Sequence, residues 1–326
     1  MAMERAARRP RTMRSRLMLE VASELVLGDV PGLDAEWPYH QVEVRLREQG
    51  GEDWRLAFYA SDGPDSIDAV MSGKATFAIC NPGGVLAMAV RGKGPFPKPL
   101  PLRAIMVLPQ FDQLGFGVLE RTGLTTIADI QKERYPLKIS VRGQGDHSLH
   151  LVTDEVFRVH GFSLKDVISW GGEVRYDNEM PNGPSRLGAL QRGEIDCVID
   201  EAMPMWASRA VDFGTHFLEI DEVHLQELEA MGLPRVAITQ EEWPKLKRDV
   251  WTISFSGWPV FCREDLADDV VTAFCVGLEN RKDRIPWYGE GPLRLDLMCK
   301  DTREGPLAIP LHPAAEGFWR QRGYLS

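Results

Sequence analysis

The chain has 326 residues, of which 44% are hydrophobic and 26% charged, a composition typical of a globular protein. At roughly 100 to 200 residues per domain, this length predicts two domain-sized cores. The formal net charge of -10 disfavours nucleic acid or an anionic membrane surface as the main partner, because both attract clustered lysine and arginine side chains. No stretch reaches the roughly 20 apolar residues that a membrane span needs, so we expect no direct membrane insertion.

Basic residues, including a twin-arginine pair at Arg8 and Arg9, precede the first apolar run. That run, residues 17–27, is interrupted by Glu20 and Glu24 and is followed by no small-residue cleavage site, unlike an export signal. We therefore expect a flexible basic tail over residues 1–15 that leads into an amphipathic helix. As written, the sequence predicts a cytoplasmic protein.

The five cysteines are far apart in the sequence and form no CxxC pair. Most of them lie inside apolar runs, which favours buried free thiols in a reducing compartment over disulfides or a zinc framework.

Strands and helices alternate through the first part of the chain. Strand patterns occupy residues 41–46, 54–59, 76–80, 103–108 and 114–119. Turns rich in Gly and Pro follow two of these strands, at residues 61–64 and 81–84, and each turn leads into a helical pattern.

Predicted strands and helices continue to alternate after residue 119. Strands are predicted at residues 137–141 and 197–200 and helices at 127–132, 146–159 and 184–192. A charged, helical stretch over 223–249 precedes a long apolar strand pattern at 250–262 and a helix at 265–278. Such alternation predicts an α/β protein with two mostly parallel sheets flanked by helices.

Several segments, in the same order, resemble the solute-binding receptors of TRAP transporters, in particular their TAXI branch. The resemblance runs over residues 40–326 and rests on the segments GKATFAICN (73–81), GPF (94–96), ISVRGQGDH (139–147), GFSLKDV (161–167), ALQRGEIDC (189–197) and IPLHPAA (309–315). Two departures from the family are visible. The glycine-rich loop that follows the family's first strand has no counterpart, and Gln144 and Asp146 stand where its second loop has Ser and Thr.

The resemblance implies a two-lobed, periplasmic-binding-protein-like fold of type II, in which the chain crosses twice between the lobes. Lobe 1 would comprise residues 16–112 and 253–326, and lobe 2 residues 113–252. The family traps a solute such as a small carboxylate when the lobes close, and it works beside a membrane transporter subunit in the periplasm. The resemblance therefore favours a periplasmic location if the start of the sequence is truncated.

Candidate ligand-binding residues lie where predicted strands run into helices, because ligands of open α/β sheets sit beyond the carboxyl ends of the strands. Backbone N–H groups at a helix N-terminus also favour an anion without any net positive charge on the protein. The candidates are Ser61, Asp62, Asn81, Arg142, Gln144, Asp146, His147, Glu201 and Trp258.

Most of the candidates also have a plain structural alternative. Arg142 is either a bidentate carboxylate clamp or an exposed arginine at a strand end. Asp146 is better explained as a helix N-cap than as a ligand contact. Glu201 would bind a cationic group or pair with Arg142, and Trp258 either lines a cleft or packs in a core. Ser61, Asp62 and Asn81 are equally typical of turns and caps.

The sequence thus predicts a receptor, or a ligand-sensing derivative of one, for a small anionic solute of the carboxylate type. One alternative is an enzyme of decarboxylase or lyase type on the same scaffold, with Cys80 and His147 as nucleophile and base. Another is a non-catalytic interaction module. Metal-ligand spacing, a P-loop, a dinucleotide fingerprint and a Ser-His-Asp signature are all missing, so no cofactor, metal or catalytic residue is predicted.

Overall fold

The computed structural model describes residues 21, 42–47, 54–60, 63–285 and 287–326. All features below belong to the compact unit Val42–Ser326. The predicted basic tail, the helix predicted next to it, and the candidates Ser61 and Asp62 lie outside the described residues.

Twelve strands are formed by the described residues. They are β1 Val42–Arg47, β2 Trp54–Ala60, β3 Phe77–Ile79, β4 Leu102–Leu108, β5 Gly115–Leu119, β6 Lys138–Arg142, β7 Glu173–Asp177, β8 Cys197–Asp200, β9 Thr215–Phe217, β10 Arg235–Ile238, β11 Val250–Ile253 and β12 Trp258–Arg263. One five-stranded sheet has the order β1-β2-β3-β12-β4, and a second has the order β7-β6-β8-β5-β9. Strands β10 and β11 pair separately as a two-stranded sheet.

Helices connect and cover these strands. They are α1 Asp65–Met71, α2 Gly83–Arg91, α3 Ile127–Glu133, α4 Ser148–Val159, α5 Leu164–Ser169, α6 Ala189–Gln191, α7 Met203–Asp212, α8 Glu222–Met231, α9 Asp268–Arg281, α10 Leu295–Met298 and α11 Pro313–Gln321. A π-helical turn, Pro184–Gly188, leads directly into α6, and a 3-10 turn, Glu120–Thr122, follows β5.

The two-lobed α/β prediction is confirmed, but the pairing within the sheets is mixed rather than mostly parallel. In the first sheet only β2 and β3 pair in parallel, and in the second β6 pairs in parallel with β7 and β8. The remaining pairs of these two sheets are antiparallel. Except for the pair β1–β2, they all involve β5 or β12, which follow segments that cross from one sheet to the other and enter their sheets in the reverse direction.

Two segments of the chain make these crossings, residues 109–114 and 254–257. They touch one another through a bridge between Gln113 and Ser254. The long apolar pattern at 250–262, predicted as one strand, is therefore two strands of different sheets with a crossing between them. We call the part between the crossings lobe 2 and the rest of the described unit lobe 1.

The charged stretch at 223–249 was predicted to be helical, which is correct only for its first part. Helix α8 ends at Met231, and Gly232 follows with φ of 120°, a conformation that favours glycine. The chain then forms β10, because Arg235 to Ile238 finds a partner in β11. Pairing with a distant strand overrides local propensity here.

The lobes share apolar contacts along α2. An ideal Cβ on Gly84 would lie 3.0 Å from Leu233 Cδ2, and one on Gly232 would lie 2.8 Å from Ala87 Cβ. Beyond these contacts, Arg91 donates to the carbonyl of Glu229 at 2.8 Å. A single hydrophobic cluster accordingly includes residues from both lobes, and a smaller one lies within lobe 2 around Trp206.

Asp112 joins the first crossing to lobe 2. Its carboxylate accepts backbone N–H groups from Ala202 at 2.9 Å and Met203 at 3.1 Å, at the N-terminus of α7, and from Gln113 at 2.9 Å. Its backbone N–H donates to Ser256 Oγ in the second crossing at 2.9 Å. Burial raises the pKa of Asp112 to about 6, while the N–H donors oppose that rise. One buried residue therefore joins both crossings and a helix end, its backbone contacting the second crossing and its carboxylate the start of α7.

We expect Asp112→Ala to lower the free energy of unfolding by about 3 kcal/mol, because several buried N–H groups would lose their acceptor. Chemical denaturation at neutral pH measures this loss. The exposed Asp283 offers a control, and Asp283→Ala should stay within about 0.5 kcal/mol of the wild type. An Asp112→Ala protein as stable as the control would show that the crossings do not depend on this carboxylate.

Candidate functional site

Arg142 ends β6 and is only 1% exposed. Its Nη2 lies 2.5 Å from Asp200 Oδ1 and 2.9 Å from Glu201 Oε1, and its Nη1 lies 3.1 Å from His147 Nε2. Strands β6 and β8 are parallel neighbours, so their carboxyl ends bring these groups to one edge of the sheet. Arg142 is thus neither an exposed strand-end arginine nor an open clamp, since protein carboxylates already contact it.

Asp200 lies between two arginines. It ends β8, is fully buried, and its second oxygen accepts from Arg186 Nη1. Arg186 comes from the π-helical turn and also donates to Ser140 Oγ at 3.1 Å and to the Ile199 carbonyl at 3.0 Å. Burial acts to raise the pKa of Asp200, but the charges and hydrogen bonds of both arginines outweigh it and hold the pKa below its ordinary value. Asp200 is therefore a carboxylate that fixes both guanidinium groups.

His147 caps helix α4. Its Nδ1 accepts the N–H of Leu149 at 3.0 Å, and its ring stacks on Phe255 of the second crossing with centroids 6.2 Å apart. A neutral ring carries one hydrogen, so with Nδ1 accepting, that hydrogen lies on Nε2, which is 3.4 Å from Glu201 Oε1. The 3.1 Å approach of Arg142 Nη1 to Nε2 is therefore a contact between two donors and not a hydrogen bond. Burial, followed by the positive charge of Arg142, lowers the pKa of His147 to about 3.

The prediction that Asp146 caps this helix is wrong. His147 occupies the N-cap position, and Asp146 is exposed one residue earlier. The Nδ1 atom of His147 accepts the helix N–H that the Asp146 carboxylate was expected to accept.

Glu201 follows β8 directly and is 5% exposed. The next residue, Ala202, has φ of 53°, a left-handed conformation that is uncommon outside glycine. This backbone turns the N–H groups of Ala202 and Met203 toward Asp112, while the Glu201 carbonyl accepts from Trp206 Nε1 at 2.9 Å. Strained backbone of this kind concentrates at functional sites.

Lobe 1 approaches this cluster at Gly63, just before α1. An ideal Cβ on Gly63 would lie 2.1 Å from the carbonyl oxygen of Asp146 in the loop that carries Gln144 and His147. Only a residue without a side chain allows so close an approach of two backbones. The lobes are therefore closed on one another at this point.

In lobe 1, Asn81 follows β3 and Trp258 begins the adjacent strand β12. The N–H of Gly83 donates to the carbonyl of Gly257 at 3.0 Å, which fixes the turn after Asn81 against the start of β12. Within the described part of the chain, Asn81 Oδ1 and Trp258 Nε1 are buried without a hydrogen-bond partner. Buried polar atoms of this kind need an explanation, and a bound solute is one.

The structure thus places the predicted residues in two groups. Arg142, His147 and Glu201 form one buried cluster in lobe 2, with Gln144 and Asp146 on the adjoining loop. Asn81 and Trp258 form the second group, in lobe 1. Their roles as ligand contacts stay predictions.

Sequence reasoning missed Asp112, Asp200 and Arg186. Asp200 and Arg186 are fully buried charged residues, and Asp112 is 3% exposed. The sequence offered one signal for Asp200: a charged residue directly follows the apolar strand residues Cys197 to Ile199. Charged residues are rarely buried unless they are paired, so such a position indicates a partner of opposite charge.

Cys80 gives no support to a nucleophile. It is 1% exposed within the hydrophobic cluster that spans the lobes, and burial raises the pKa of its thiol far above the ordinary value. The reactive form of cysteine is the thiolate, which burial disfavours. The five cysteines are all free and buried.

A family model described as NMT1-like matches residues 54–323, which is most of the chain. This chain belongs to the NMT1-like family. No curated protein matches it. The match covers both lobes, so family membership applies to the whole two-lobed unit rather than to one part of it.

Solved structures similar to this NMT1-like chain are distant. A substrate-binding domain of an amino acid ABC transporter from Streptococcus pneumoniae is 14% identical, with 67% of this chain and 71% of that chain covered and a TM-score of 0.25. The glycine betaine/L-proline-binding protein ProX from Borrelia burgdorferi is 16% identical, with 64% and 63% covered and a TM-score of 0.36. An ATP phosphoribosyl transferase complex from Thermotoga maritima is 12% identical, with 73% and 86% covered and a TM-score of 0.35. At such scores these likenesses give no argument about a ligand.

Among the described residues, no helix combines the length and the apolar character required to cross a membrane.

We expect acid to destabilise the protein partly through His147. The ring is neutral in the folded state, with a pKa of about 3, whereas the unfolded chain takes up a proton near pH 6.5. This stabilisation is therefore present above pH 6.5 and is lost as the pH falls toward the folded pKa. Between about pH 7 and pH 5 the loss should amount to about 2 kcal/mol.

His147→Asn is the matched variant, since an Asn side chain can still cap α4 but does not titrate. The difference in unfolding free energy between pH 7 and pH 5, measured by urea denaturation, should be smaller in the variant by about 2 kcal/mol. Equal pH dependence in both proteins would show that His147 is not buried as a neutral ring.

Proposed function

We propose that this chain binds a small, carboxylate-bearing solute between its two lobes, as a receptor of the TAXI type or a ligand-sensing derivative. The main support for this proposal is the buried cluster of Arg142, His147 and Glu201 at the carboxyl ends of β6 and β8. It lies at the N-terminus of α4, and the loop between Arg142 and α4 meets Gly63 of the other lobe. Strand ends facing a second lobe are where this class of fold holds its ligands.

The charges of the cluster are balanced without a ligand. Arg142 and Arg186 carry two positive charges, and Asp200 and Glu201 carry two negative charges. Asp200 pairs with both guanidinium groups, and Glu201 pairs with Arg142 at 2.9 Å. A solute carboxylate would therefore take the position of Glu201 beside Arg142, where a planar guanidinium can pair with it.

The N-terminus of α4 supports the same solute chemistry. The helix has 12 residues, and its peptide dipoles place partial positive charge at the end that follows His147. A displaced Glu201 would then be available for an ammonium or N–H group of the solute. An amino acid or a similar small acid carries both kinds of group.

Lobe opening gives the solute access. Arg142, His147 and Glu201 are at most 5% exposed in the closed arrangement. Opening about the two crossings would expose them, and closing over a solute would remove water and strengthen each polar contact. As a transport receptor the chain would pass its solute to a membrane transporter subunit, and as a sensor it would report the closed state to another partner.

A thermal-shift screen of carboxylic acids, amino acids and aromatic acids tests this proposal. We expect at least one acid to raise the Tm in proportion to the logarithm of its concentration above Kd. Glu201→Gln removes the internal competitor, so an acid bound at Arg142 should bind about tenfold tighter to this variant. Arg142→Ala should abolish the shift.

The partly exposed strand residue Arg175 offers a control, because it pairs with Glu173 on β7, away from the cluster. Arg175→Ala should keep wild-type affinity. The proposal fails if no acid stabilises the wild type, or if Glu201→Gln binds the stabilising acid no more tightly than the wild type does. Chemical turnover of that acid would favour the enzyme hypothesis instead.

A further inference from the structure

Two histidines and an aspartate meet away from the cleft cluster, at the other end of α4. His160 is the residue that ends α4, Asp221 is the N-cap of α8, and His224 lies in the first turn of α8. Helices α4 and α8 pack against each other. The potential ligand atoms of the three side chains all lie within 4.8 Å of one another.

The His160 ring is fixed with one nitrogen aimed into this group. Its side chain has no exposed surface, and its Nδ1 lies 2.7 Å from the Val156 carbonyl, to which it can only donate. The other nitrogen, Nε2, therefore carries a lone pair. Nε2 is buried, and the described residues offer it no hydrogen-bond partner, the Asp221 Oδ2 atom being 3.8 Å away. Metal-ligating histidines usually have this arrangement: one ring N–H donates to a backbone carbonyl, and the lone pair of the other nitrogen binds the metal.

Asp221 and His224 complete the group from α8. His224 Nδ1 lies 2.7 Å from Asp221 Oδ1, and the His224 ring stacks on His160 with centroids 3.9 Å apart and an angle of 30° between the rings. The side chains of Asp221 and His224 are 34% and 24% exposed. An ion can therefore reach the group from solvent on the α8 side while His160 closes it on the inner side.

We propose that His160, Asp221 and His224 bind a divalent transition-metal ion of the zinc type. Two imidazoles and one carboxylate are ligands that such ions prefer, whereas calcium and magnesium prefer oxygen ligands alone. Two ligand atoms about 2.1 Å from a tetrahedral ion lie about 3.4 Å apart, so the spread of 4.8 Å requires only a small rotation of side chains. The side chains of Asp221 and His224 are partly exposed, which allows that rotation.

The ion would tie α4 to α8. Helix α4 carries His147 at its first end, and the residues after α8 contact α2 of lobe 1 through Gly232 and Leu233. The proposed site is thus structural. It would fix α4, which starts at the cleft cluster, against α8, which precedes the contacts with lobe 1. It does not depend on the identity of the solute or on solute binding.

Isothermal titration of the tag-free full chain with Zn2+ alone tests the site. We expect one ion per chain, and we expect Asp221→Asn and His224→Ala each to weaken binding at least about tenfold. Asn can replace Asp as a helix cap, so Asp221→Asn removes the charge and keeps the cap of α8. The histidine of β9, His216, lies on another element, and His216→Ala should bind as the wild type does.

Titration with Co2+ identifies the ligand type through its visible absorption. Nitrogen and oxygen ligands should give weak d–d bands without the intense near-ultraviolet band of a cobalt–thiolate bond. The proposal is overturned if the wild type binds no ion, if Asp221→Asn and His224→Ala bind as the wild type does, or if the thiolate band dominates. The two α8 variants decide the question even if a substitution of the buried His160 prevents folding.

Discussion

The carboxylate of Asp200, buried between Arg142 and Arg186, is the interaction on which the cleft side of lobe 2 depends. Three charged groups without solvent are tolerated only because each finds partners of opposite charge and further hydrogen bonds. Losing one member of such a network typically costs about 3–5 kcal/mol, because the remaining charge stays buried. The network fixes the direction of Arg142 and therefore of everything that Arg142 contacts.

From this network the site extends in two directions. Glu201 follows Asp200 in the chain, and its neighbour Ala202 turns the start of α7 toward Asp112 in the first crossing. His147 contacts Arg142 on one side and stacks on Phe255 in the second crossing on the other. The buried charges are thus connected to both segments about which the lobes would move. This connection gives a physical route by which occupancy of the cluster could favour the closed arrangement.

Local patterns were sufficient to predict most elements and the edge of the sheet where the site lies. Strand β6, helix α4 and the turn between them are visible as an apolar run, a glycine-containing loop and an amphipathic repeat. Because strand ends gather ligands, Arg142, His147 and Glu201 could be selected from the sequence. Glu201 pairs with Arg142, which is one of the two alternatives that the sequence left open, whereas ligand binding itself is a proposal.

Features that depend on distant pairing could not be predicted. Nothing local to Arg186 shows that it meets Asp200, since its turn packs on β8 only in the fold. The antiparallel entry of β5 and β12 follows from the crossings, which a strand pattern does not reveal. His160 is likewise far in sequence from Asp221 and His224, and only the packing of α4 on α8 brings them together. A spacing motif would not have found that group.

Solute binding as proposed requires an opening and closing motion of the lobes about the two crossings. Spin labels on Lys74→Cys in lobe 1 and Lys165→Cys in lobe 2 would measure it by pulsed electron resonance, because both positions are exposed and the native cysteines are buried. We expect a broad distance distribution that narrows to its short component when the acid selected by thermal shift is added. Gly63→Ala should be unable to reach that component, since its Cβ would collide with the Asp146 carbonyl, whereas Gly145→Ala, which has open space around it, should behave as the wild type. The same distance distribution in every sample, with and without the acid, would contradict closure of the lobes over a solute.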